Sequence, residues 1–536
     1  MEYLTLFTIG PVQSFIAKAR KLQDLYAGSF LLSYLSKQTM LKAQEKGADI
    51  LFPNPNQESA PNRFLMKVCI ESPDKLRKFC SELEGYVREI WENIAKDVFN
   101  AVKLDYSCAV KMQIKSLLQV YYASEVYKSG ENFSKSYIDV IKRLGSAKML
   151  RSFTQLDEGY GRKCDLMHEY NALFCREIRN YIINNAQIVN ADKINQYKLD
   201  KYIQSGEALS APAFVKRCLK FAVPEFDDNF PPIEDIYEMY GDKLVDDDKH
   251  GYYAIVMFDG DDMGMWYSTP DDNSKGKGVS KAKVEDFQKY LSRKISEFAA
   301  EKSRKIVDWK SRKNGVVIYA GGEDFLGALN IKNVFSALKE LRETFGQMDI
   351  ESYSKESLTF SAGVVLAHVK APLSEVLNMV RNAEKKAKAN PGKDAYCLTI
   401  AKRSGEITEF VKPFYYDKEC KKSSLDDLHK LVEIIVDKKI STKFIYQLGT
   451  ELERITKTDN TELQKEVFLL EARRILKRSV LPDKNKKNDI VEEDCEYCIV
   501  EKICEILNQM AEISSIKNLL SYLRAVAFIA RERGAT

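Results

Sequence analysis

The order of apolar segments between Tyr252 and Asn390 constrains this fold more than any other feature of the chain. Tyr252–Phe258 is a short apolar run that predicts a strand, and Val279 to about Val307 carries the 3.6-residue apolar spacing of a long helix. Val316–Ala320 and Phe325–Leu329 predict two strands joined by a tight turn at Gly321-Gly322. A helix over Val334–Phe345, a strand over Leu358–Leu366 and a helix over Leu373–Asn390 complete the series. Strand, helix, two strands, helix, strand is the ferredoxin-like order, with the first strand expected beside the first strand of the hairpin. Polymerase palms and nucleotide cyclases share that architecture.

Two acidic clusters close strands of this unit. FDGDDMG, Phe258 to Gly264, ends the first strand, and YAGGEDF, Tyr319 to Phe325, holds the hairpin turn. Adjacent strand ends would bring Asp259 together with Glu323 and Asp324, a hard oxygen donor set suited to Mg²⁺ or Mn²⁺. Two such ions would stabilise the attacking hydroxyl and the pyrophosphate leaving group of ATP. Asp259, Glu323 and Asp324 are thus the candidate catalytic residues, and with Gly260 the candidate metal site. Neighbouring residues of a regular strand face opposite sides, so either Glu323 or Asp324 serves as the direct ligand. Gly321 and Gly322 would let a nucleotide approach the backbone, while Met263 and Gly264 open a segment whose amides suit a triphosphate. Gly260, Asp262 and Ser361 complete the expected nucleotide-binding set in this unit. Each cluster alone reads as a solvated turn; the pair at adjacent strand ends carries the functional reading.

The rest of the chain is read around this unit. At 536 residues it exceeds what one core can serve. Tyr3–Ile9 and Phe64–Ile70 predict strands, Gln13 to about Gln44 a helix, and Ser72-Pro73-Asp74 the capped start of a helix running past Trp91. A β-rich stretch over Cys108–Tyr122 follows. The expected division is a first palm-like domain over 1–136, a mostly helical insert over 137–246, the second palm over 247–412 and a helical bundle over 413–536. Asp246 to Gly251 reads as a linker and Pro482 to Asp489 as a polar loop. The fold class is α+β.

Charge excludes little: 82 basic residues nearly balance 78 acidic ones, so nucleic-acid contact rests on local patches. The chain shows neither a signal peptide nor eighteen consecutive apolar residues, and its eleven cysteines suit a reducing cytoplasm, with no membrane partner. None of the four histidines precedes an aspartate, which excludes a His-Asp phosphohydrolase site.

With those motifs in order, the chain resembles the Cmr-type large subunit of type III-B CRISPR effector complexes, the Cas-ten family. FTIGPVQSFIAKARKLQDLYAGSFLLSYL, Phe7 to Leu35, is similar to the opening of that family's first palm, and FSAGVVLAHVKAPL, Phe360 to Leu373, and KPFYYDK, Lys412 to Lys418, fit its later pattern. The resemblance implies two palms, a zinc-containing insert and a C-terminal helical domain. Its implied partners are Cmr-type subunits, guide RNA and target RNA, in a complex for antiviral defence. It also implies target-RNA-activated synthesis of a nucleotide second messenger from ATP, either a cyclic oligoadenylate or an adenylate conjugate of S-adenosylmethionine. The other reading is a catalytically inactive scaffold that binds guide RNA and partner subunits. Lys388 resembles the basic residue that GGDEF-like cyclases place near phosphates, or else belongs to a solvated face with Lys385 and Lys386. Where the family pattern is GGDD, this chain has GGED. The HD nuclease domain that opens many members is not seen here, which implies no DNase activity in this chain.

The first palm has no matching acidic pair and is expected to be catalytically silent. Gln13, Ser14 and Arg20, at the start of its first helix, are candidates for holding a second substrate. In the insert, Cys164, His168 and Cys175 are candidate Zn²⁺ ligands, with Cys218 a distant fourth; Met167 stands where a second cysteine of a C-x-x-C pair would be. Cys495, Cys498 and Cys504 read as ordinary helix cysteines.

Overall fold

The computed structural model describes the chain except residues 56–58, 128–132, 151–155, 176–186, 189–198, 239–250, 268–283, 309–313, 351–355, 418–421, 456–460, 481–495, 514 and 535–536. The linker over 246–250, the polar loop over 482–489, Cys495 and the expected helix start at Val279 lie outside the described residues.

The chain opens on β1, Glu2–Gly10, whose seven interior residues are all buried. The expected single helix after it is two, Gln13–Ala17 and Leu22–Glu45, because the chain turns at residues 18–21 where Asp24 accepts from the Arg20 and Lys21 amides. A short strand, β2 (Asp49–Phe52), precedes β3 (Arg63–Cys69). Helix Pro73–Ala101 begins as its sequence dictates, with the Ser72 hydroxyl accepting from the Lys75 amide and proline at the first turn.

The stretch expected to be β-rich is corrected here. Cys108–Leu117 is a helix capped by Ser107, and only β4, Gln119–Tyr127, is extended. Its apolar residues at Val110, Ile114 and Leu117 follow helical spacing, which a run of β-branched and aromatic residues beyond Leu118 disguises. The four strands pair in the order β2-β3-β1-β4, all antiparallel, and helix Phe133–Met149 covers β4 and β1. The described part of the insert is not simply helical. It holds a small sheet of β5 (Phe174–Cys175), β6 (Gln187–Ile188) and β7 (Ala208–Leu209), followed by the short helices Ala211–Arg217 and Ile233–Glu238.

The second unit has β8 (Tyr252–Gly260), β9 (Gly315–Gly321), β10 (Asp324–Asn330) and β11 (Phe360–His368). Helix Val284–Glu297 continues through a π turn, Phe298–Lys302, into Ser303–Val307. Two further strands were not expected, β12 (Ala395–Ala401) and β13 (Ile407–Pro413). They extend the sheet to β13-β12-β11-β8-β10-β9, with β12 parallel to β11 across the helix Leu373–Lys388. The expected neighbour of the first strand is also corrected. β8 pairs with β10, the second hairpin strand, because β8 occupies the centre between β10 and β11 and leaves β9 at the edge.

Alternation along β8 sorts the two faces. Tyr252, Ala254, Val256 and Phe258 enter the larger core, where the Phe258 ring stacks on Phe325 at 4.7 Å and on Phe360 at 3.9 Å. Each phenylalanine buried this way is worth about 1.5–3 kcal/mol. Tyr253 and Ile255 face the other side with Val365 of β11 and with Val376 and Val380 of the helix Leu373–Lys388. Gly363 lets that helix lie directly on β11, since a Cβ there would fall 2.4 Å from the Val380 carbonyl oxygen and 2.5 Å from the Glu384 amide nitrogen. The C-terminal residues form the helices Ser424–Val436, Lys443–Ile455, Thr461–Ser479, Glu496–Ile513 and Ile516–Glu532, as the apolar spacing predicts.

The two units touch across charged and apolar contacts. Lys67 of β3 reaches Glu285 at 2.8 Å, Lys289 reaches Asp49 at 2.9 Å, and the Phe52 and Tyr267 rings lie 5.1 Å apart.

Candidate active site

Register brings the two acidic clusters together. Asp259, next to last in β8, lies directly opposite Asp324, the first residue of β10, and opposite Ser361 on β11. Glu323 stands in the hairpin turn just before Asp324, and its carbonyl accepts from the Gly260 amide at 3.2 Å. The turn thus supplies the irregularity that lets both acids join one edge. Gly322 adopts φ +64, a left-handed conformation that favours glycine.

The helix Leu373–Lys388 ends over this edge. The Lys388 ammonium forms an ion pair with Asp259 and lies 3.4 Å from Glu384 one turn earlier. The seating of that helix on Gly363 is what carries both side chains to the strand ends. Lys388 faces the carboxylates, whereas Lys385 and Lys386 of the same helix are exposed.

Burial raises both acids of the turn, and Asp324 raises Glu323 further. Loss of surrounding water, then repulsion from Asp324, pushes the Glu323 carboxyl up to about 7; loss of water pushes Asp324 up to about 6. Asp324 nonetheless keeps an open face to solvent. Glu384 is pushed up to about 7 by burial and then by Asp324. Burial, then Lys393, lowers the Lys388 ammonium to about 8. One opposing charge comes from the other unit: Arg63, the first residue of β3, holds both Glu323 and Asp324 down. The buried Tyr267 and the half-buried Tyr319 complete the walls, and the Tyr267 hydroxyl has no hydrogen-bond partner among the described residues.

Several expected roles are changed by the geometry. Ser361 is buried and its hydroxyl donates to Asp261 at 2.8 Å, so it supports the turn after Asp259. Asp262, at φ 55, forms an ion pair with Lys393 at 2.6 Å. Gly260 is required by crowding within the protein, because a Cβ would lie 2.7 Å from Met263 Cγ and 3.0 Å from Glu323 Cβ. Gly321 is crowded likewise by the Tyr319 hydroxyl at 2.7 Å. Met263 and Gly264 open a helix of four residues, Met263–Trp266. Gln13 and Ser14 are exposed at the start of helix Gln13–Ala17, and among the described residues no hydrogen bond or ion pair joins them to the carboxylates. Arg20 turns to Glu207 of the insert at 3.7 Å. The residues that sequence reasoning missed are Arg63, Glu384 and Asp261. Asp261 lies inside FDGDDMG and was open to notice; Glu384 and Arg63 become legible only once the helix and the neighbouring unit are placed.

Among the described residues no three His, Cys, Asp or Glu side chains converge as a ready-made metal cage. The expected zinc site is not assembled among the described residues: no three of Cys164, His168, Cys175 and Cys218 converge as one donor group, and His168 Nδ1 lies 2.9 Å from the Cys164 carbonyl instead. For magnesium or manganese the donor chemistry fits. Mg²⁺ keeps several waters and uses one or two carboxylates together with substrate phosphates, and the Asp259–Asp324 pair with Glu323 supplies that many crowded hard oxygens.

The comparisons with known proteins agree with this architecture. Residues 252–397 match the family model described as Cas10/Cmr2, second palm domain, and residues 4–98 match CRISPR-associated protein Cmr2, N-terminal. A curated relative, the CRISPR system Cmr subunit Cmr2 of Pyrococcus furiosus, is 25% identical over 296 residues, or 51% of this chain and 31% of the relative. The match therefore spans about a third of that relative's length. Among solved structures, a type III-B Cmr-beta assembly in its apo state aligns over 99% of this chain and 82% of its own at a TM-score of 0.67 and 13% identity. The Cmr-beta assembly bound to cognate target RNA aligns over 99% and 83% at 0.65 and 13%. At that identity the likeness is one of fold. No described helix is long and apolar enough to cross a membrane.

Proposed function

We propose, for a chain that belongs to the Cas10/Cmr2 family through its N-terminal and second palm domains, that the acidic edge of the second sheet transfers adenylate from ATP. The observation that carries this reading is the register that sets Asp259 opposite Asp324, with Glu323 in the adjoining turn. An acid raised by burial and by the acid beside it, as Glu323 is by Asp324, is short of positive charge, and a cation with a triphosphate supplies it.

Asp259 and Asp324 are the assigned metal ligands, with Glu323 completing the donor set. A divalent cation held there would supply positive charge to offset that on the departing pyrophosphate. The chain's own groups do the rest. Lys388 exchanges its contact with Asp259 for the phosphates, and Arg63 brings a second positive charge from the first unit. Tyr267 and Tyr319 narrow the site and limit water beside the α-phosphate. Glu384 holds Lys388 at the strand end. Among the described residues the first unit has no acid at this end of its strands, and it serves as the second wall.

The acceptor is either the 3′-hydroxyl of another ATP, giving a cyclic oligoadenylate, or S-adenosylmethionine, giving an adenylate conjugate. The chain acts as the large subunit of a type III complex with other Cmr-type subunits and guide RNA, and target RNA activates it by aligning the two units. Alignment of reacting groups is worth about 7–11 kcal/mol, so a small misplacement silences the site. The test is labelled ATP with Mg²⁺ or Mn²⁺ and the assembled complex, with and without target RNA and S-adenosylmethionine. Metal-dependent adenylate product lost in Asp259→Asn supports the reading; a complex that assembles but yields no product in any arm leaves only the scaffold.

A further inference from the structure

The turn that follows Asp259 is held from behind by a set of contacts with no place in the chemistry so far. Three consecutive residues between the helix Leu373–Lys388 and β12 have left-handed backbones: Gly392 at φ 81, Lys393 at φ 53 and Asp394 at φ 48. Two of them are not glycine, a conformation that persists only when its surroundings over-determine it. The surroundings here are specific. Arg342 grips Asp394 with two parallel bonds, Nε to Oδ1 at 2.5 Å and Nη2 to Oδ2 at 2.8 Å, and both residues are buried.

Held in this way, the loop takes hold of both acids after Gly260. The Asp394 amide donates to Asp261 Oδ2 at 3.0 Å, and Lys393 Nζ donates to Asp262 Oδ1 at 2.6 Å. Asp261 is fastened on its other side by the Thr359 and Ser361 hydroxyls at 2.9 and 2.8 Å, and Asp262 also has a left-handed backbone at φ 55. Two short segments of unfavourable backbone thus lock each other. The loop is itself anchored outward: the Asp394 carbonyl accepts from the Phe414 amide at 2.9 Å, and the Phe414 carbonyl accepts from the Ser424 amide at 3.0 Å, at the start of helix Ser424–Val436. Lys339, one turn before Arg342 on helix Val334–Gly346, reaches Asp426 of the same helix at 2.7 Å.

We infer that Arg342, Asp394 and Lys393 are positioning residues that brace the Asp261–Asp262 turn and thereby fix Asp259 opposite Asp324. The inference rests on the proposed reading of the site, and it deepens that reading by naming what holds one metal ligand at its register.

The test is made on the full chain, without and with ATP, so that the brace and the chemistry are judged separately. Hydrogen exchange of the ligand-free chain is followed at amides 258–263 and, as the reference, along β11 at residues 362–367. Asp394→Asn keeps the loop backbone and the amide to Asp261 but loses the charged grip, and exchange at 258–263 is expected to rise about tenfold with β11 unchanged, the size of one charge-assisted hydrogen bond. Lys393→Met lies on a half-exposed pair and leaves the fold intact; about threefold is expected there. Lys386→Met, on the exposed pair with Glu409, is the control and is expected to change nothing. In the metal-dependent reaction, Asp394→Asn is expected to lower kcat about tenfold with KM for ATP within about twofold. Unchanged exchange at 258–263 in both variants, or a rise shared equally by β11, overturns the brace. Product formation that survives Asp259→Asn overturns the reading of the site, while the exchange measurement still decides the brace.

Discussion

The two ferredoxin-like units share one strand order, β2-β3-β1-β4 in the first and β9-β10-β8-β11 in the second, yet they end in opposite charge. In each, the first and third strands pair up to a last register position. In the second unit that position holds Asp259 opposite Asp324; in the first it holds Thr8 opposite Arg63. The same place in the same fold carries a carboxylate in one copy and a guanidinium in the other, and that guanidinium holds down the carboxylates of its neighbour. Where the first unit lacks the acid, it has the residue that, in the proposed reading, the second unit takes from outside. Function resides in the residues grafted at the strand ends and not in the fold itself.

The comparison breaks most plainly if the acids of the second unit are dispensable. Asp259→Asn is expected to lower adenylate product at least about 100-fold with folding unchanged, the range seen when one preorganised charge-stabilising group is removed. Residual activity within a few-fold of the parent chain would remove the asymmetry between the units. Next in size is Arg63→Met, which takes away the contribution of the first unit. A loss of about tenfold is expected, with the pH midpoint of the rate moved upward by about half a unit, since Arg63 lowers both carboxyls and its removal lets them rise.

Raised carboxyls also give the ligand-free chain a pH-dependent stability of defined sign. A folded-state value above the unfolded one binds protons more tightly in the native protein, so this stabilisation is present below about pH 4 and is lost as pH rises through 6 to 7. Melting temperature is expected to fall across that window, less so in Glu323→Gln, and Mg²⁺ with ATP is expected to restore it. A slope identical in the two proteins would contradict the crowding at this edge. The smallest effect belongs to the first unit's own edge. Thr8→Val is expected to leave turnover within about twofold and to cost about 1 kcal/mol of stability through the bond from Asn62 at 3.1 Å.

Much of the second unit was legible in the sequence because its strands are short apolar runs punctuated by glycine and acids. Its order of elements was sufficient to bring Asp259 to Asp324, although the pairing ran through β10 and not β9. β12 and β13 escaped notice although Pro391-Gly392 breaks the helix before them, because Ala395–Ala401 and Ile407–Pro413 are short and fall between two long helical patterns. The helix Cys108–Leu117 was hidden by aromatic and β-branched neighbours. In the site, the acids of the two motifs were found except Asp261, and Lys388 was found through the resemblance, whereas Glu384 and Arg63, adjacent to the acids only in space, were not. Glu384 lies on an amphipathic helix among lysines, and Arg63 lies in the other unit. No local pattern marks either, since the reason for both is a cross-element contact. Conversely Ser361, Gly260 and Gly321 were assigned to the nucleotide, while the structure engages them in packing and in holding Asp261.

The most direct measurement of the central claim is Mn²⁺ uptake by the full chain with a non-hydrolysable ATP analogue, followed by electron paramagnetic resonance. The parent chain and Thr8→Val are expected to take up the ion together with the nucleotide, and Asp259→Asn and Asp324→Asn to lose at least about tenfold in affinity, the effect of removing one of two carboxylate ligands. Uptake by Asp324→Asn equal to that of the parent chain would contradict the assignment of the metal to this strand edge.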